Sequence, residues 1–251
     1  MNRRHWLMGA MATVAAGLSA CGEAGSRLAA QAGRMAEGLT RRAQRLLIPA
    51  DALAPTYDRS EISPDFRPNG SISPAASDYV ALREGGFAAY RLAVDGLVER
   101  PLSLSLIELR ARPSRTQITK HDCVEGWTAI AEWTGVRLET LLDEAGLKPE
   151  ARFIVFHCFD ALDQREDGDR YYESIDLVDA RHPQTILAWA MNGETLPVPH
   201  GAPLRLRVER QLGYKHAKYI KRIEAVASLD GIGGGKGGYW EDRGYEWFAA
   251  I

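Results

Sequence analysis

The chain has 251 residues, 45% of them hydrophobic and 25% charged, with a formal net charge of −2. This composition is that of a globular protein with a sizeable core and at most two domains. The lack of a basic excess argues against a nucleic-acid partner. The three cysteines, Cys21, Cys123 and Cys158, cannot all pair with one another, which excludes a disulfide scaffold.

Residues 1–21 have the pattern of an export signal. Arg3 and Arg4 open a short basic region and an apolar run follows at 8–18, too short to span a membrane permanently. The paired arginines resemble the signal of the route that exports folded proteins, and the residues up to Cys21 resemble a lipoprotein box. A small-residue cleavage site with an incidental Cys21 fits as well, and an ordinary N-terminal helix is a further alternative. We expect a periplasmic protein, with a lipid anchor at Cys21 as one alternative.

Residues 22–78 are expected to form a tether and an extended arm. The tether, up to Arg45, is rich in Ala, Gly and Arg, which is typical of a solvated surface segment. Five prolines between Ile48 and Ser77 exclude a long regular element, so this part should lie extended on the domain. Within it, Asn69-Gly70 predicts a tight turn, because these residues tolerate positive φ.

Residues 79–228 should form the compact domain. Short apolar or alternating runs predict strands at residues 90–94, 116–121, 153–158, 186–191, 204–208 and 219–226. Ser105 and Glu108 have capping-box spacing and predict a short helix, and apolar residues at helical spacing predict another that ends before Gly146. Many short strands with few helices predict an α+β fold dominated by mixed β-sheet.

Two further stretches of the chain have patterns that constrain their structure. Apolar residues alternate with Arg205, Arg207 and Glu209, which predicts a half-exposed strand. Residues 229–251 begin with a glycine-rich run around Lys236 and continue with aromatic residues. No Ser or Thr follows Lys236, so a phosphate-binding loop is excluded. We expect a flexible hinge followed by an aromatic tail packed on the core.

The stretch from His121 to Thr128 is the strongest candidate for a functional site. Cys123 stands at the end of a predicted strand among acidic residues, which favours a functional loop and a thiolate ligand for a soft metal. A buried structural thiol is the alternative. Cys158 and His157 are neighbours in a predicted buried strand and should face opposite sides, so a zinc site with His121 and Cys123 lacks the usual spacing.

Two basic stretches could bind an anion. Prolines stiffen the loop that carries His200 and precedes Arg205, a suitable place for anion contacts. Lys215, His216 and Lys218 cluster before the last strand, where lysines and backbone N–H groups could hold a phosphate. A structural turn and a solvated basic turn are the respective alternatives.

Around Cys123 the sequence resembles the molybdopterin domain of the sulfite oxidase family. The resemblance extends from about Phe66 to Val226, and two separate motifs occur in the family's order. The similarity is greatest to the bacterial periplasmic catalytic subunits that include a methionine-sulfoxide reductase. The motifs are Cys123-Val-Glu-Gly-Trp-Thr128 with Trp133-Thr-Gly-Val136 and Leu141-Leu142, and then His182-Pro-Gln-Thr185, Asn192-Gly193, Leu196-Pro197, Gly201-Ala-Pro-Leu-Arg-Leu206 and Gly213-Tyr-Lys215.

The resemblance implies one molybdenum–molybdopterin per chain. Cys123 matches the cysteine that ligates molybdenum, Asn69 an asparagine that contacts the pterin, and Arg205 a cofactor-binding arginine. Cys158 and His200 stand where the methionine-sulfoxide reductase branch has a cofactor-binding threonine and an asparagine. The segment whose backbone and lysine hold the cofactor phosphate corresponds to His216, Ala217 and Lys218.

The implied activity is two-electron oxygen-atom transfer on an S-oxide, N-oxide or similar small substrate. Gly126 and Trp127 follow the cysteine where animal and plant sulfite oxidases have basic residues, which argues against sulfite. Trp127 and His200 are expected to shape the substrate face, and His200 to move a proton at neutral pH.

Electrons should pass to or from a separate partner, a membrane haem protein or a soluble cytochrome, because the sequence contains no Cys-x-x-Cys-His motif. The family's C-terminal dimerisation domain has no counterpart, so a monomer is expected. Three alternatives remain open: a zinc hydrolase using His121, Cys123, His157 and Cys158, a metal-free thiol enzyme, and a non-enzymatic exported lipoprotein that serves as a binding module.

Overall fold

Two five-stranded sheets form the framework of the domain. The structure, a computed structural model, describes residues 49–163 and 169–251. The expected export signal and the expected tether, up to Arg45, therefore lie outside the described residues. The strands are β1 (Arg91–Gly96), β2 (Leu102–Ser105), β3 (Ser114–Asp122), β4 (Thr128–Arg137), β5 (Phe153–Ala161), β6 (Arg170–Asp176), β7 (Ile186–Met191), β8 (Glu194–Thr195), β9 (Arg205–Arg207) and β10 (Ile220–Val226).

The helices are short and serve as connections. They are α1 (Ser77–Glu84), α2 (Leu106–Arg110), α3 (Leu138–Ala145) and α4 (Leu177–Ala180). The predicted capping box is present at α2, where the Ser105 hydroxyl accepts a hydrogen bond from the Glu108 N–H. Gly146 ends α3 with a φ of 70°, as the sequence predicts for a helix that stops at glycine.

The first sheet has the order β2-β1-β10-β5-β6. Among the described strands, β1 and β10 form its one parallel pair, so the last strand of the domain pairs with the first. The second sheet has the order β3-β4-β7-β8, and β9 pairs with β7. Mixed sheet with short helices confirms the α+β prediction.

The longest hairpin places the candidate cysteine. Strands β3 and β4 pair without a register shift from Ser114 opposite Val136 to Asp122 opposite Thr128. The five residues between them form the turn that begins with Cys123. At Gly135, β4 crosses β7 so closely that a Cβ atom would lie 2.1 Å from the Leu187 carbonyl oxygen. Only glycine fits this crossing, which fixes the hairpin on the second sheet.

Strand β9 differs from the prediction of a half-exposed strand. Arg205, Arg207 and Glu209 are all buried, at 4%, 0% and 3% exposure. Arg207 forms a fully buried ion pair with Glu209, and both guanidinium groups lie over the Trp133 ring, with centroid distances of 4.8 and 4.5 Å. The alternation of apolar and charged residues predicted a solvent-exposed face on this strand. The charged face is buried instead, because the ion pair and the Trp133 ring supply partners for its charges.

The arm before the domain is held by several specific contacts. Thr56 forms a β-bridge with Thr119. The Gln184 side chain bonds both the N–H and the carbonyl of Ala54, and His182 bonds the Ala52 carbonyl. Its later part, residues 66–71, reaches the cavity described below. The predicted turn is present at Gly70, which has a φ of 66°.

The C-terminal residues pack against β6. A Cβ atom on Gly233 would lie 1.9 Å from the Tyr172 hydroxyl, and one on Gly238 would lie 2.0 Å from the Glu241 carboxylate. The Asp242 carboxylate accepts hydrogen bonds from the N–H groups of Gly234 and Lys236. Gly233 and Gly238 thus lie in close contact with neighbouring side chains, and the expected flexibility of the hinge stays a prediction.

Candidate functional site

Cys123 opens a tight turn at the end of β3. Its N–H donates to the Trp127 carbonyl, and its own carbonyl accepts from the Gly126 N–H, both at 2.9 Å. Gly126 has a φ of 84°, which the turn requires and which favours glycine. The thiol is 7% exposed and faces a cavity of about 480 Å³. The turn thus fixes one sulfur atom at the wall of a pocket of ligand size.

The arm supplies a second group beside the sulfur. The Asn69 amide donates a hydrogen bond to Cys123 Sγ at 3.0 Å. Lys218 holds this part of the arm, because its ammonium group donates to the carbonyl oxygens of Asn69, Ser71 and Pro199 at 2.5–3.1 Å. Two predicted site residues far apart in sequence, Asn69 and Cys123, are thereby brought into direct contact.

Phe66 connects the aromatic residues around the cavity. Its ring lies 5.5 to 6.1 Å from those of His121, Trp127, Trp133 and His200. Three of these contacts are edge-on, a favourable arrangement for aromatic pairs. Phe66 is not among the residues that the sequence predicts for the site. The only signal for it was that the family resemblance begins at about this residue.

The interior of the cavity has more positive charge than its own carboxylates compensate. Arg205 lines the cavity, and its Nη1 donates to the His200 carbonyl. Burial beside Arg207 lowers the pKa of Arg205 to about 9, and burial and Arg205 lower the pKa of Lys218 to about 7. A bound anion would relieve this repulsion, because among the described residues the hydrogen bonds of Arg205 and Lys218 go to neutral carbonyl oxygens.

The outer edge of the cavity carries a neutralised pair of charges. Arg67 and Glu125 form an ion pair at 2.8 Å, with side chains 57% and 51% exposed. Trp127 Nε1 donates to the same carboxylate, and the Arg67 guanidinium lies 5.0 Å from the centroid of the Trp127 ring. The charges of Arg67 and Glu125 therefore offset one another.

The histidines around the cavity are neutral at physiological pH. Burial, followed by Arg205 and Lys218, lowers the pKa of His200 to about 4. The pKa values of His121 and His216 lie well below the ordinary value, chiefly because both residues are buried and next because Arg207 is close. The lowered pKa of His200 argues against proton exchange near pH 7, and this role of His200 stays a prediction.

The C-terminal tail contributes the remaining wall. Trp240 and Tyr245 line the cavity with ring centroids 5.1 Å apart. The tail is anchored by Lys215, which is fully buried and forms ion pairs with Glu173 of β6 and Glu241 of the tail. Lys215, expected near an anion, thus serves as an anchor for the tail.

Most of the predicted site residues meet at this cavity, but two do not line it. Asn69, Cys123, Trp127, His200, Arg205, His216 and Lys218 line the cavity. Cys158 lies in the main hydrophobic core, and the side chain of Ala217 is also buried there. Asp160 lines the cavity and was not predicted.

The zinc alternative does not fit the geometry. His157 points away from Cys158 and bonds Glu224 at 2.8 Å on the other face of β5. Within residues 49–163 and 169–251, no three His, Cys, Asp or Glu side chains are grouped so that they could hold a metal ion. The four residues of the zinc hypothesis therefore do not converge.

Comparison with known proteins identifies the family. The family described as "Oxidoreductase molybdopterin binding domain" matches residues 80–230. The chain belongs to this family. It is a molybdopterin-dependent oxidoreductase of the sulfite oxidase type, and its cofactor is molybdenum bound by molybdopterin.

Individual proteins of known sequence give a more specific comparison than the family does. A protein of Azospira oryzae named as a putative protein-methionine-sulfoxide reductase subunit is 40% identical over 205 residues, 82% of this chain and 71% of the relative. The protein-methionine-sulfoxide reductase catalytic subunits of Campylobacter jejuni and Gluconobacter oxydans are 32% and 36% identical. Those matches cover 54% and 55% of this chain, but only 48% and 47% of the relatives. The chain thus spans about half the length of these two proteins.

A solved structure shows the same fold. The sulfane dehydrogenase SoxCD of Paracoccus pantotrophus superposes with a TM-score of 0.50 and 28% identity. The match covers 56% of this chain and 39% of that one.

The residues of the cavity fit the family's cofactor. Four of its lining residues have a buried polar atom without a hydrogen-bond partner in the part of the chain that the structure describes: Ser71 Oγ, Asp160 Oδ1, Arg205 Nε and His216 Nδ1. Buried polar atoms are rarely left unpaired. A ligand with many nitrogen and oxygen atoms and a phosphate would satisfy these groups, while the Cys123 sulfur suits molybdenum.

Proposed function

We propose that the domain reduces S-oxides, with methionine sulfoxide as the substrate class. In the net reaction an S-oxide takes up two electrons and two protons and yields a thioether and water. When bound, the molybdenum cofactor supplies the two-electron oxygen-atom chemistry. The protein supplies the ligand, the shape of the pocket and the electrostatics.

The neutral outer edge of the cavity carries this proposal. Sulfite is an anion and would favour free basic groups near the metal ligand. Here Arg67 is paired with Glu125, and the nearby groups are the rings of Phe66 and Trp127. A neutral S-oxide fits such a surface, and sulfur beside aromatic rings is a favourable contact. The names of the relatives point to the same substrate class.

Each residue near the sulfur has a proposed role. Cys123 would ligate molybdenum through its thiolate, and the Asn69 amide would hold that sulfur by its hydrogen bond. Trp127 shapes the substrate side. His200, neutral at pH 7, shapes it too and offers a ring nitrogen as a hydrogen-bonding group.

The anionic end of the cofactor would be held at the far side of the cavity. Arg205 has an unpaired, buried Nε–H that can donate to a phosphate. The backbone N–H groups of His216 and Ala217, in the segment that the family resemblance assigns to the phosphate, donate to the carbonyl oxygens of Gly213 and Lys215 in this structure. Lys218 contributes charge, and its ammonium group also holds the arm.

Electron supply and location are further parts of the proposal. The Azospira relative is named as a subunit, which supports a separate redox partner, a membrane haem protein or a soluble cytochrome. Arg3 and Arg4 support export to the periplasm by the route for folded proteins, and Cys21 supports a lipid anchor. Among the described residues, no helix is long and apolar enough to cross a membrane.

Metal analysis tests the ligand. The protein from a molybdenum-replete host should contain one molybdenum per chain, and Cys123→Ser should lose activity because the soft sulfur donor is gone. Cys158→Ser is the matched control and should retain both the molybdenum and the activity. Zinc in place of molybdenum in the wild type would refute the cofactor assignment for this cavity.

Removing the charge of Glu125 tests the proposed substrate class. Glu125→Gln leaves Arg67 unpaired, so we expect KM for sulfite to fall while KM for methionine sulfoxide changes little. The double variant Arg67→Gln/Glu125→Gln restores neutrality and should behave like the wild type. Wild-type protein that oxidises sulfite faster than it reduces S-oxides would contradict the proposal.

Export can be tested separately. Replacing Arg3 and Arg4 together by lysines should retain the protein in the cytoplasm. Cys21→Ala should release a mature form from the membrane fraction if Cys21 is lipidated, and leave fractionation unchanged if the cysteine is incidental.

A further inference from the structure

The arm forms a wall of the cavity although it is itself little buried. Phe66 and Asn69 line the cavity, and the Asn69 amide donates to Cys123 Sγ. Every residue from 49 to 70 is nevertheless exposed or only half-buried. The arm therefore closes one side of the cofactor site while it contributes little to the hydrophobic core, whose burial dominates stability.

Backbone hydrogen bonds fasten the middle of the arm to the β3–β4 hairpin. The N–H of Tyr57 donates to the Ile118 carbonyl on β3, and the N–H of Ser63 donates to the Ile130 carbonyl on β4. The Ser63 hydroxyl accepts a hydrogen bond from the N–H of Ile130 in return. These bonds lie before the cavity-lining part of the arm, so they set its position without touching the cavity.

The other contacts between the arm and this hairpin are ion pairs near the surface. Arg59 pairs with Glu132 and Arg67 with Glu125, and the two arginine side chains are 69% and 57% exposed. Exposed ion pairs are weak, and a hydrogen bond contributes little net free energy because water competes for its groups. The arm is therefore a unit of low local stability that can open while the rest of the domain stays folded.

The motif at residues 182–185 holds the beginning of the arm. The Gln184 side chain is fully buried and bonds both the N–H and the carbonyl of Ala54, and His182 Nε2 bonds the Ala52 carbonyl. Two of the four residues of this motif thus bind the backbone of the arm, away from the cavity.

The end of the arm is fixed at Ser71. Ser71 is 1% exposed, and its carbonyl oxygen accepts hydrogen bonds from the Tyr219 hydroxyl and the Lys218 ammonium group. Gly70, directly before it, has a φ of 66°, and glycine can change its backbone conformation at little steric cost. The arm can thus swing about Gly70 while the chain from Ser71 onward stays in place.

We propose that the arm is a strap that opens to admit the molybdenum cofactor and closes over it. Opening breaks the hydrogen bonds that Asn69 makes with Cys123 and Lys218 and removes the wall that Phe66 forms. A ligand that contacts the closed arm shifts the equilibrium toward the closed state, because it binds that state more tightly. The inference rests on cofactor binding in this cavity and not on the identity of the substrate.

Hydrogen exchange on the purified full chain tests whether the arm opens by itself. In cofactor-free protein, the amides of Tyr57 and Ser63 should exchange at least about tenfold faster than the paired amides of β5 and β10. In molybdenum-loaded protein, the exchange of the two arm amides should slow at least about tenfold, and that of β5 and β10 should change little.

A variant with a weakened arm tests whether opening controls the cofactor. Tyr57→Pro/Ser63→Ala removes one backbone N–H and one hydroxyl acceptor, and neither residue lines the cavity. We expect molybdenum and pterin, measured by elemental analysis and by pterin fluorescence, to leave at least about fivefold faster than from the wild type. In cofactor-free protein the Cys123 thiol should be alkylated faster by a similar factor, while Cys158, which is buried in the core, should stay unlabelled.

Ser103→Ala is the matched control, because it removes an exposed hydrogen bond to Arg91 outside the arm. It should release the cofactor and expose Cys123 at the wild-type rates. The cofactor-free double variant should melt no more than about 3 °C below the wild type, since its core is unchanged.

Three results would each overturn the inference. They are wild-type rates of release and alkylation in the double variant, arm amides that exchange as slowly as those of β5 in the cofactor-free wild type, and a large loss of melting temperature in the double variant. The last would show that the arm unfolds only with the whole domain. A wild-type protein with molybdenum but no S-oxide reductase activity would refute only the proposed substrate.

Discussion

The hydrogen bond from Asn69 to Cys123 is the contact closest to the proposed metal ligand. A donor to a ligand sulfur withdraws electron density and tunes the potential of the metal. We predict that Asn69→Ala shifts the midpoint potential of the molybdenum centre to more negative values, on the order of tens of mV, measured by potentiometric titration. Ser73→Ala, in the same arm, is the control because Ser73 bonds Arg83. An unchanged potential in Asn69→Ala would contradict the assignment.

Gly213 lies in close contact with His121 and Asp122, the two residues that precede the cysteine turn. A Cβ atom here would lie 2.6 Å from His121 Nε2 and 3.2 Å from the Asp122 carbonyl oxygen. We predict that Gly213→Ala costs about 1–3 kcal/mol of unfolding free energy and lowers the molybdenum content, because it displaces the residues before Cys123.

Gly193→Ala is the matched control for that steric effect. Gly193 has a φ of 83° but open space around its Cα atom, so alanine should cost about 1–2 kcal/mol through backbone strain alone. Denaturant unfolding gives both stabilities. Equal losses of molybdenum in the two variants would show that the contact with His121 is unimportant.

At the residue scale, sequence patterns located the cysteine turn but not its neighbours. Cys123 and Asn69 carry local signals, a reactive side chain after a strand and an Asn-Gly turn. Phe66 and Asp160 carry none, since a phenylalanine in an arm and an acid in a strand have many ordinary roles. Their importance depends on which residues they meet across more than fifty positions of sequence, and only the tertiary structure decides that.

Lys215 is a fully buried cation that contributes to anchoring the tail. Lys215 pairs with Glu173 and Glu241, and all three side chains are 0–1% exposed. We predict that Lys215→Met lowers the unfolding free energy by about 3–5 kcal/mol, because two buried carboxylates lose their counter-charge. The triple variant Lys215→Met/Glu173→Gln/Glu241→Gln should recover about half of this loss.

A surface pair supplies the comparison for Lys215. Lys221 pairs with Asp78 where both side chains are 42–53% exposed, so Lys221→Gln should cost no more than about 1 kcal/mol. Chemical denaturation measures all of these variants. Equal effects of Lys215→Met and Lys221→Gln would mean that the buried cluster does not hold the tail.

At the element scale, apolar periodicity predicted the strands that build the core. The ranges predicted for β1, β3, β5, β7 and β10 overlap the observed strands. Strands β2, β4 and β6 were not predicted, since two of them carry many polar residues and β4 is interrupted by Gly135. The burial of β9 was mispredicted because charged residues of alternating pattern normally face water, whereas here Trp133 and Glu209 cover them.

At the scale of the whole molecule, the cavity is assembled from distant segments. The arm contributes Phe66 and residues 68–71, and the β3–β4 turn contributes Cys123 and Trp127. Asp160 comes from β5, Arg205 from β9, His200 from the loop before β9 and Lys218 from the segment before β10. The tail contributes Trp240 and Tyr245. The family resemblance placed most of these residues in one site. Physical patterns in the sequence could not, because these segments are far apart in the chain and meet only in the tertiary structure.

Burial also couples the stability of the whole domain to pH. The pKa values of His121, His182, His200 and His216 are all lowered, in each case chiefly by burial. The unfolded chain therefore binds more protons than the folded one below the ordinary histidine pKa of about 6.5. The contribution of these histidines to the unfolding free energy must then decrease as the pH falls through this range, whereas the raised pKa values of the buried acids Asp160 and Glu173 act in the opposite direction.

His182 allows this effect to be measured away from the cavity. Its Nε2 bonds the Ala52 carbonyl and its Nδ1 accepts from the Gln184 N–H, and burial together with Arg210 lowers its pKa to about 4. The folded pKa lies below the unfolded value, so the loss begins near pH 6.5 and is complete near pH 4. At pH 5 it amounts to at most about 2 kcal/mol.

We predict that His182→Gln, which cannot titrate, narrows the stability difference from the wild type between pH 7.5 and pH 5 in cofactor-free protein. The variant loses a packed ring and should be less stable at pH 7.5, where the wild-type histidine is neutral in both states. At pH 5 the wild type alone has the additional proton-linked cost, so the two unfolding free energies should approach one another. Parallel curves over this range would show that His182 is not held neutral and that its bond to the arm survives protonation.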